Sequence, residues 1–575
     1  MARFNLIDEP WIRVVTDSGG ETEEVPLKEL FQNAHLYIGL AGDMKTQDFA
    51  LLRLLLAILH TVFSRVDAQG EIYEWIELDE NFRQLNEVDE DDMEDYAGAL
   101  YKTWNDLWNA GKFPKAVVDY LETWHDRFYL FDEEYPFYQV RRQDISKEKL
   151  SKSQGSIISG KNINRRISES NNKTALFAPK TDSNGNKEIL NEAELARWIL
   201  MYQGYCGLPD KVIFGKDKYE AKNSKGWLFD IGGLYLQGET LFETLMLNLV
   251  LVRGDQTESL YMQRPCWESS ADEVVERYLR DRHKRRRMDN LAELYTLWGR
   301  AIYIDPGVNM DKPFEFEVVK FPDIEHLDHF IEPMTIWSFN KQGENKDHYT
   351  PRKHQEETSI WRSFGLVTGY GSDQYTPGIV QWIRNDEIKD AFKKRKYNIV
   401  AVSMQSDGNA TSWVPVNEIV DTLMLHERLL TDLSENGWEQ RINDIVDLTN
   451  HVVRSTYGRF LYDIEDIRNL KNSGLTSKEL ARLYYVIDQP FREWIASIEP
   501  DKDREVQLNE WKKILKKLVK READRLVAQA GPRDFTGRIC DGGGGGESEG
   551  RYKNIAISYN AFSYFLNKQL DVKEG

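Results

Sequence analysis

The chain has few cysteines and no long apolar run. Its three cysteines, Cys206, Cys266 and Cys540, lie far apart in the sequence. That spacing gives neither a disulfide framework nor a paired-thiolate zinc site, and a reducing cytoplasm is the expected compartment. No stretch approaches the roughly 18 uninterrupted apolar residues of a membrane span, because even Phe49 to Phe63 contains Arg53 and His60. The opening Met-Ala-Arg-Phe-Asn-Leu-Ile-Asp has no signal-peptide core, so neither export nor membrane contact is expected. Motifs for catalysis are also missing. No Gly-x-Ser-x-Gly elbow, His-Glu-x-x-His helix or Gly-Lys-Ser/Thr phosphate loop occurs, and Gly369-Tyr370-Gly371 does not open a dinucleotide fingerprint. The pairs His326/His329 and His348/His354 lack the spacing of a zinc helix and read as satisfied surface histidines. The expectation is a protein with no catalytic residue, no metal and no cofactor.

What is present is core material and acid. The 575 residues are 41% hydrophobic and 12% aromatic, with 16 tryptophans, enough for two or more domains of about 100 to 200 residues each. The net charge of −20 opposes encounter with phosphate unless basic groups are locally concentrated. Seven acids cluster between Glu87 and Asp95, while Arg277 to Arg287 carries seven Lys or Arg, as does Lys512 to Arg525. Arg285 and Arg286 in the first run, and Lys513, Lys516, Lys517 and Lys520 in the second, either track a DNA backbone or coat a solvated helix face.

Patterning along the chain predicts an α+β protein. Phe4 to Val15 reads as a strand interrupted by Pro10, Thr46 to Val66 as a helix, and Glu192 to Tyr205 as another. Tyr135 to Lys187 reads as loop, and Leu241 to Val252 as a helix or buried strand. Ala301 to Ile304, Phe314 to Val319 and Val400 to Met404 carry strand character. After about residue 420 helical spacing takes over, with almost no strand signal, at Trp438–Phe460, Ser477–Ile498, Arg504–Ala530 and Asn554–Leu570. The expected architecture is a large mixed α/β domain over 1–422 followed by a four-helix bundle over 423–575. Gly542 to Gly546 reads as a linker.

Several ordered motifs resemble the CasA family, the large subunit of the type I-E CRISPR Cascade surveillance complex. They are Leu6-Ile-Asp-Glu-Pro-Trp-Ile12, Tyr135-Pro-Phe-Tyr-Gln139, Gln263-Arg-Pro-Cys-Trp-Glu268, Leu294 to Ile304, and Ile360-Trp-Arg362. The resemblance implies a non-catalytic subunit that assembles with guide RNA-containing Cascade subunits. Such a subunit reads the protospacer-adjacent motif of double-stranded DNA through the minor groove, helps unwind the target and recruits a helicase-nuclease. It places a strand-opening wedge on the turn Gln405 to Ala410, at Gly408, Asn409 and Ala410, where an ordinary exposed turn is the alternative. It assigns motif reading to Lys312, with Lys320 as the other candidate, and to a loop containing Lys222, Lys225 and Gly226. Asn162, Ile163 and Asn164 fall on a loop expected to touch guide RNA or a neighbouring subunit. A metal-dependent nuclease and a purely structural scaffold remain the competing readings.

Overall fold

The computed structural model describes residues 2–163, 189–207, 211–217, 224–253, 262–371, 373–406, 415–470, 473–540 and 551–571. It resolves into two compact units. The first comprises residues 1–355, 371–393 and 398–422, and the second 356–370, 394–397 and 423–575.

The first unit is organised around the helix Lys45–Phe63. Its sequence is apolar on more than one face, and a helix with that pattern has to be enclosed. Length and hydropathy would suit a membrane span, yet the helix is buried throughout. The helices Glu192–Tyr205, Leu241–Asn248 and Leu291–Tyr295 pack on it. Arg53 and His60 are enclosed as well, Arg53 by a bidentate ion pair to Glu332 at 2.8 and 2.7 Å. His60 has no such partner, and burial holds its imidazole down at about 3, so it is neutral.

Small antiparallel sheets surround this helix. Ile12–Val15 pairs with both Thr22–Val25 and Gly39–Leu40, and Arg3–Asn5 pairs with Tyr129–Phe131. The break between the two N-terminal strands falls at Pro10, where a backbone donor is missing. Glu315–Lys320 is the middle strand between Arg300–Tyr303 and Ser156–Ser159. The last of these corrects the loop expected over 135–187. The polar run hides a strand whose pairing partners lie far away in sequence. In a further three-stranded sheet, Lys396–Ser406 lies between Pro415–His426 and Gly233–Gln237.

In the second unit, Trp438–His451 continues through a π-helical turn, Val452–Tyr457, into Gly458–Arg468. It stops at Asn469, which adopts a left-handed φ of 54°. Leu475–Ser497, Arg504–Ala528 and Ile555–Gln569 follow. Each of these four helical segments packs on at least two of the others. Their shared apolar faces carry Phe491, Trp494 and Trp511, with ring centroids 4.9–5.4 Å apart. Strand pairing is not absent here, because Arg538–Cys540 pairs with Arg551–Lys553. The glycine run lies outside the described residues, and its two flanks meet as a ladder.

Candidate nucleic-acid interface

Arg300 is the centre of the arrangement around the basic loop. It ends the Leu-Trp-Gly-Arg stretch and is fully buried. Its NH2 donates to the carbonyls of Gly207 at 2.6 Å and Ser224 at 2.9 Å, and its NH1 to Gly299 at 2.7 Å. One guanidinium therefore ties together the two ends of the 207–224 segment. The planar fork of arginine suits this task, since two carbonyls can share one rigid donor group. Gly226 closes the neck. Its N–H donates to Cys206 O at 2.9 Å, and a Cβ there would stand 2.2 Å from Gly204 O. Gly299 is under the same constraint, because a Cβ would stand 2.3 Å from Gln203 O.

The structure thus gives Gly226 a packing reason. Its close backbone approach is to the chain itself. Lys225 is mostly buried and pairs with Asp230. Asp230 also faces His326, whose Nε2 lies 3.3 Å away as a charge contact rather than an aligned hydrogen bond. Burial opposes ionisation of both groups. His326 together with Lys225 and Lys353 outweighs it and draws the Asp230 carboxyl below the usual range, while Asp230 lifts His326 above its ordinary value. His329, at 1% exposure, stacks edge-on against Trp227, and burial holds it at about 3. His329 is buried and His326 mostly enclosed, rather than both lying on the surface as their spacing suggested, because the aromatic and acidic groups around them come from residues 227–230.

Lys312 and Lys320 separate cleanly. Lys312 is exposed on the connection between Arg300–Tyr303 and Glu315–Lys320, with no ion-pair partner among the described residues. Lys320 is 3% exposed, within a central strand. Ile163 is likewise 3% exposed. It ends the one-turn helix Gly160–Ile163, which also holds Asn162, and its aliphatic side chain is enclosed within this chain. Lys222, Gly408, Asn409, Ala410 and Asn164 lie outside the described residues.

The two basic runs behave differently. In the first, Arg277 pairs with Glu293, Arg282 with Asp217, Lys284 with Asp281 and Arg285 with Glu325. Arg286 must be removed from any phosphate track. It is buried, donates to Pro322 O and Trp298 O, and lies 4.5 Å from the Tyr278 ring centroid. Neighbouring acids and carbonyls already occupy most of this run. In the second, Lys513, Lys517 and Lys520 are exposed and Lys516 half-buried on the outer face of Arg504–Ala528. Lys520 pairs with Asp524 at 2.8 Å, whereas Lys513, Lys516 and Lys517 have no ion-pair partner among the described residues.

The family profile of CRISPR-associated protein Cse1 matches residues 5–521. The chain belongs to the Cse1 family. The CasA/Cse1 protein of Thermus thermophilus is 27% identical over 376 residues, which span 64% of this chain and 60% of that relative. Among solved structures, Thermobifida fusca Cse1 superposes with a TM-score of 0.74 at 23% identity over 99% of both chains. Thermus thermophilus CasA gives 0.65 at 20% identity, again over 99% of each. A chain from a structure of a CRISPR RNA-guided surveillance complex gives 0.64 at 15% identity, over 98% of this chain and 100% of that one.

Several of the motifs that carry the resemblance are architectural here. Gln139 donates to Leu130 O at 2.7 Å and holds the turn after Tyr129–Phe131. Trp361 stacks on Phe491 at 4.2 Å. The Arg300 clasp and the Lys225–Asp230–His326 cluster were not recognisable as groups in the sequence. The one local signal was the Gly299-Arg300 step, a bulky cation following a glycine at the start of an apolar strand.

Proposed function

We propose that this chain is the large subunit of a CRISPR RNA-guided surveillance complex. In that role it has no catalytic activity of its own, reads the protospacer-adjacent motif of double-stranded DNA from the minor groove, and helps to unwind the target. It also offers a docking platform to a helicase-nuclease. The observation that carries this reading is the Cse1 family match over 5–521. The mixed domain 1–422 would hold the reading elements, and the four-helix bundle 423–575 the exposed Lys513 and Lys517 with the half-buried Lys516. Lys312 suits a reading role because it is exposed and unpaired at the end of a turn fixed by paired strands. Asn409, flanked by Gly408 and Ala410, would be the wedge, and Arg285 would contribute a backbone contact. Lys222, Asn162 and Asn164 would add loop contacts to DNA or guide RNA. The protein would act in the cytoplasm, and within an assembly, because its net charge of −20 repels DNA.

Co-expression with sibling subunits and guide RNA tests the reading. The expected result is co-purification as a ribonucleoprotein that shifts a target duplex in a gel. Lys312→Ala and Asn409→Ala should each weaken that shift while assembly is retained. Failure to co-purify overturns the subunit role, and wild-type shifts by both variants overturn the two site assignments. A nuclease would instead cut labelled DNA when the isolated protein is given Mg²⁺ or Mn²⁺.

A further inference from the structure

Lys353 lies on a stretch stitched between two chain segments of the first unit. Arg352 N donates to Ile336 O at 2.9 Å, and His354 N to Ser403 Oγ at 3.0 Å. The His354 ring lies 2.9 Å from Gly233 O, and a Cβ on Gly232 would stand 2.2 Å from Arg352 O. The Lys353 side chain reaches both segments at once. Its Nζ sits 4.0 Å from the Phe229 ring centroid and 3.4 Å from Met404 O. Phe229 belongs to the turn Trp227–Asp230, which follows directly on Lys225 and Gly226 at the clasped neck. Met404 is two residues from the end of Lys396–Ser406, the strand that leads toward Asn409. The charged groups facing the ammonium are Asp230, already shared with Lys225 and His326, and Lys225 itself.

We infer that Lys353 is a positioning residue for target opening, its ammonium locking the strand end at Met404 to the Trp227–Asp230 turn so that the described bases of the two loops, at Ser224–Gly226 and at Ser406, keep one relative placement. The inference rests on the reading of function given above. A cation over an aromatic face that also meets a carbonyl is held by direction as well as charge, which a neutral side chain of equal length does not reproduce. Burial draws the Lys353 ammonium down from its ordinary 10.5 to about 8, Asp230 opposing and Lys225 reinforcing that shift. The lock therefore loses its charge as pH rises through about 8. The same titration makes folding more favourable between about 8 and 10.5, since the unfolded chain holds a proton there that the folded chain has released. Loss of opening in that window would run against this group's contribution to stability, which separates positioning from unfolding.

The test uses the assembled complex and the permanganate reactivity of thymines next to the motif. Lys353→Met should slow opening about tenfold, the size of a typical coupling between two elements, while binding to a target already mismatched at those pairs is unchanged. Lys353→Arg should keep opening and keep it above pH 8, where the wild type declines. Wild-type opening by Lys353→Met, or equal losses on duplex and mismatched targets, overturns the inference. A wild-type complex that cannot open the duplex overturns the proposed function and this inference together. A wild type that opens beside an unaffected Lys353→Met overturns this inference alone.

Discussion

Arg65 and Glu268 form a bidentate ion pair, at 2.7 and 3.0 Å, with both side chains almost wholly excluded from water. The Tyr120 hydroxyl donates to the same carboxylate at 2.6 Å and accepts from Trp267 Nε1 at 2.8 Å, and Arg65 also donates to Gln263 O at 2.9 Å. The Gln263 to Glu268 motif is thus anchored in a buried hydrogen-bonded network around the Glu268 carboxylate. Replacing one partner leaves the other charge enclosed and unpaired, which costs about 3–5 kcal/mol. Glu268→Ala is expected to lower the melting temperature sharply, whereas Arg264→Ala, at the half-exposed neighbour paired with Asp289, should leave it nearly unchanged. Thermal unfolding of the two isolated variants checks the contrast.

Arg300→Lys keeps the charge and loses the fork. A single ammonium cannot reproduce the planar donors that reach Gly207 O, Ser224 O and Gly299 O. The variant should lose about 1–3 kcal/mol, the cost of a buried carbonyl left without its donor. Hydrogen exchange should rise at 207 and 224 before it rises in the core helix. Unchanged exchange at those two positions would remove the clasp.

The Asp230–His326 contact gives a pH signature with a definite sign. His326 is raised above 6.5 on folding, so its contribution is fully present below pH 6.5 and fades as pH climbs through the folded value. Asp230 is depressed below 3.8, so its contribution is present above pH 3.8 and fades as pH falls through the folded value. Asp230→Asn should therefore lower the melting temperature most between pH 3.8 and 6.5, and less on the alkaline side. A series of melts of wild type and variant across pH 3 to 9 reads the difference directly.

Charge removal on the second basic run should act on affinity without touching the core. Lys513→Gln, Lys516→Gln and Lys517→Gln together should reduce the slope of log affinity against log salt by about one for each phosphate that is no longer neutralised. Their melting temperature should stay at the wild-type value, because none of the three has an ion-pair partner among the described residues. Salt titration of target binding by the assembled complex, with an unchanged slope, would show a merely solvated face.

Periodicity made the long elements legible. Glu192–Tyr205 appeared at its sequence-read bounds, and the four late helices are all present, because each carries its own apolar stripe and stop signal. What stayed hidden depends on residues remote in sequence. Ser156–Ser159 becomes a strand only through Glu315–Lys320, and Arg286 leaves the surface only because Pro322 and Trp298 supply its acceptors. The surroundings of His326 are hidden for the same reason, since Asp230 and Trp227 reach it from nearly a hundred positions earlier. Within the candidate interface, Lys312 entered only through the family resemblance, and the Arg300 clasp had no local signature beyond the Gly299-Arg300 step.

The enclosed helix Lys45–Phe63 also sets a timing problem for the newborn chain. Arg53 leaves the ribosome 279 residues ahead of Glu332, its only carboxylate partner among the described residues. At a synthesis rate of about 5–20 residues per second that is a wait on the order of tens of seconds. Throughout it, an apolar segment of spanning length is finished while the helices that will cover it are still being made. Contacts so distant along the chain close slowly. Escape from aggregation, or from capture by a membrane-insertion pathway, then depends on chaperone supply during translation more than on the stability of the finished fold.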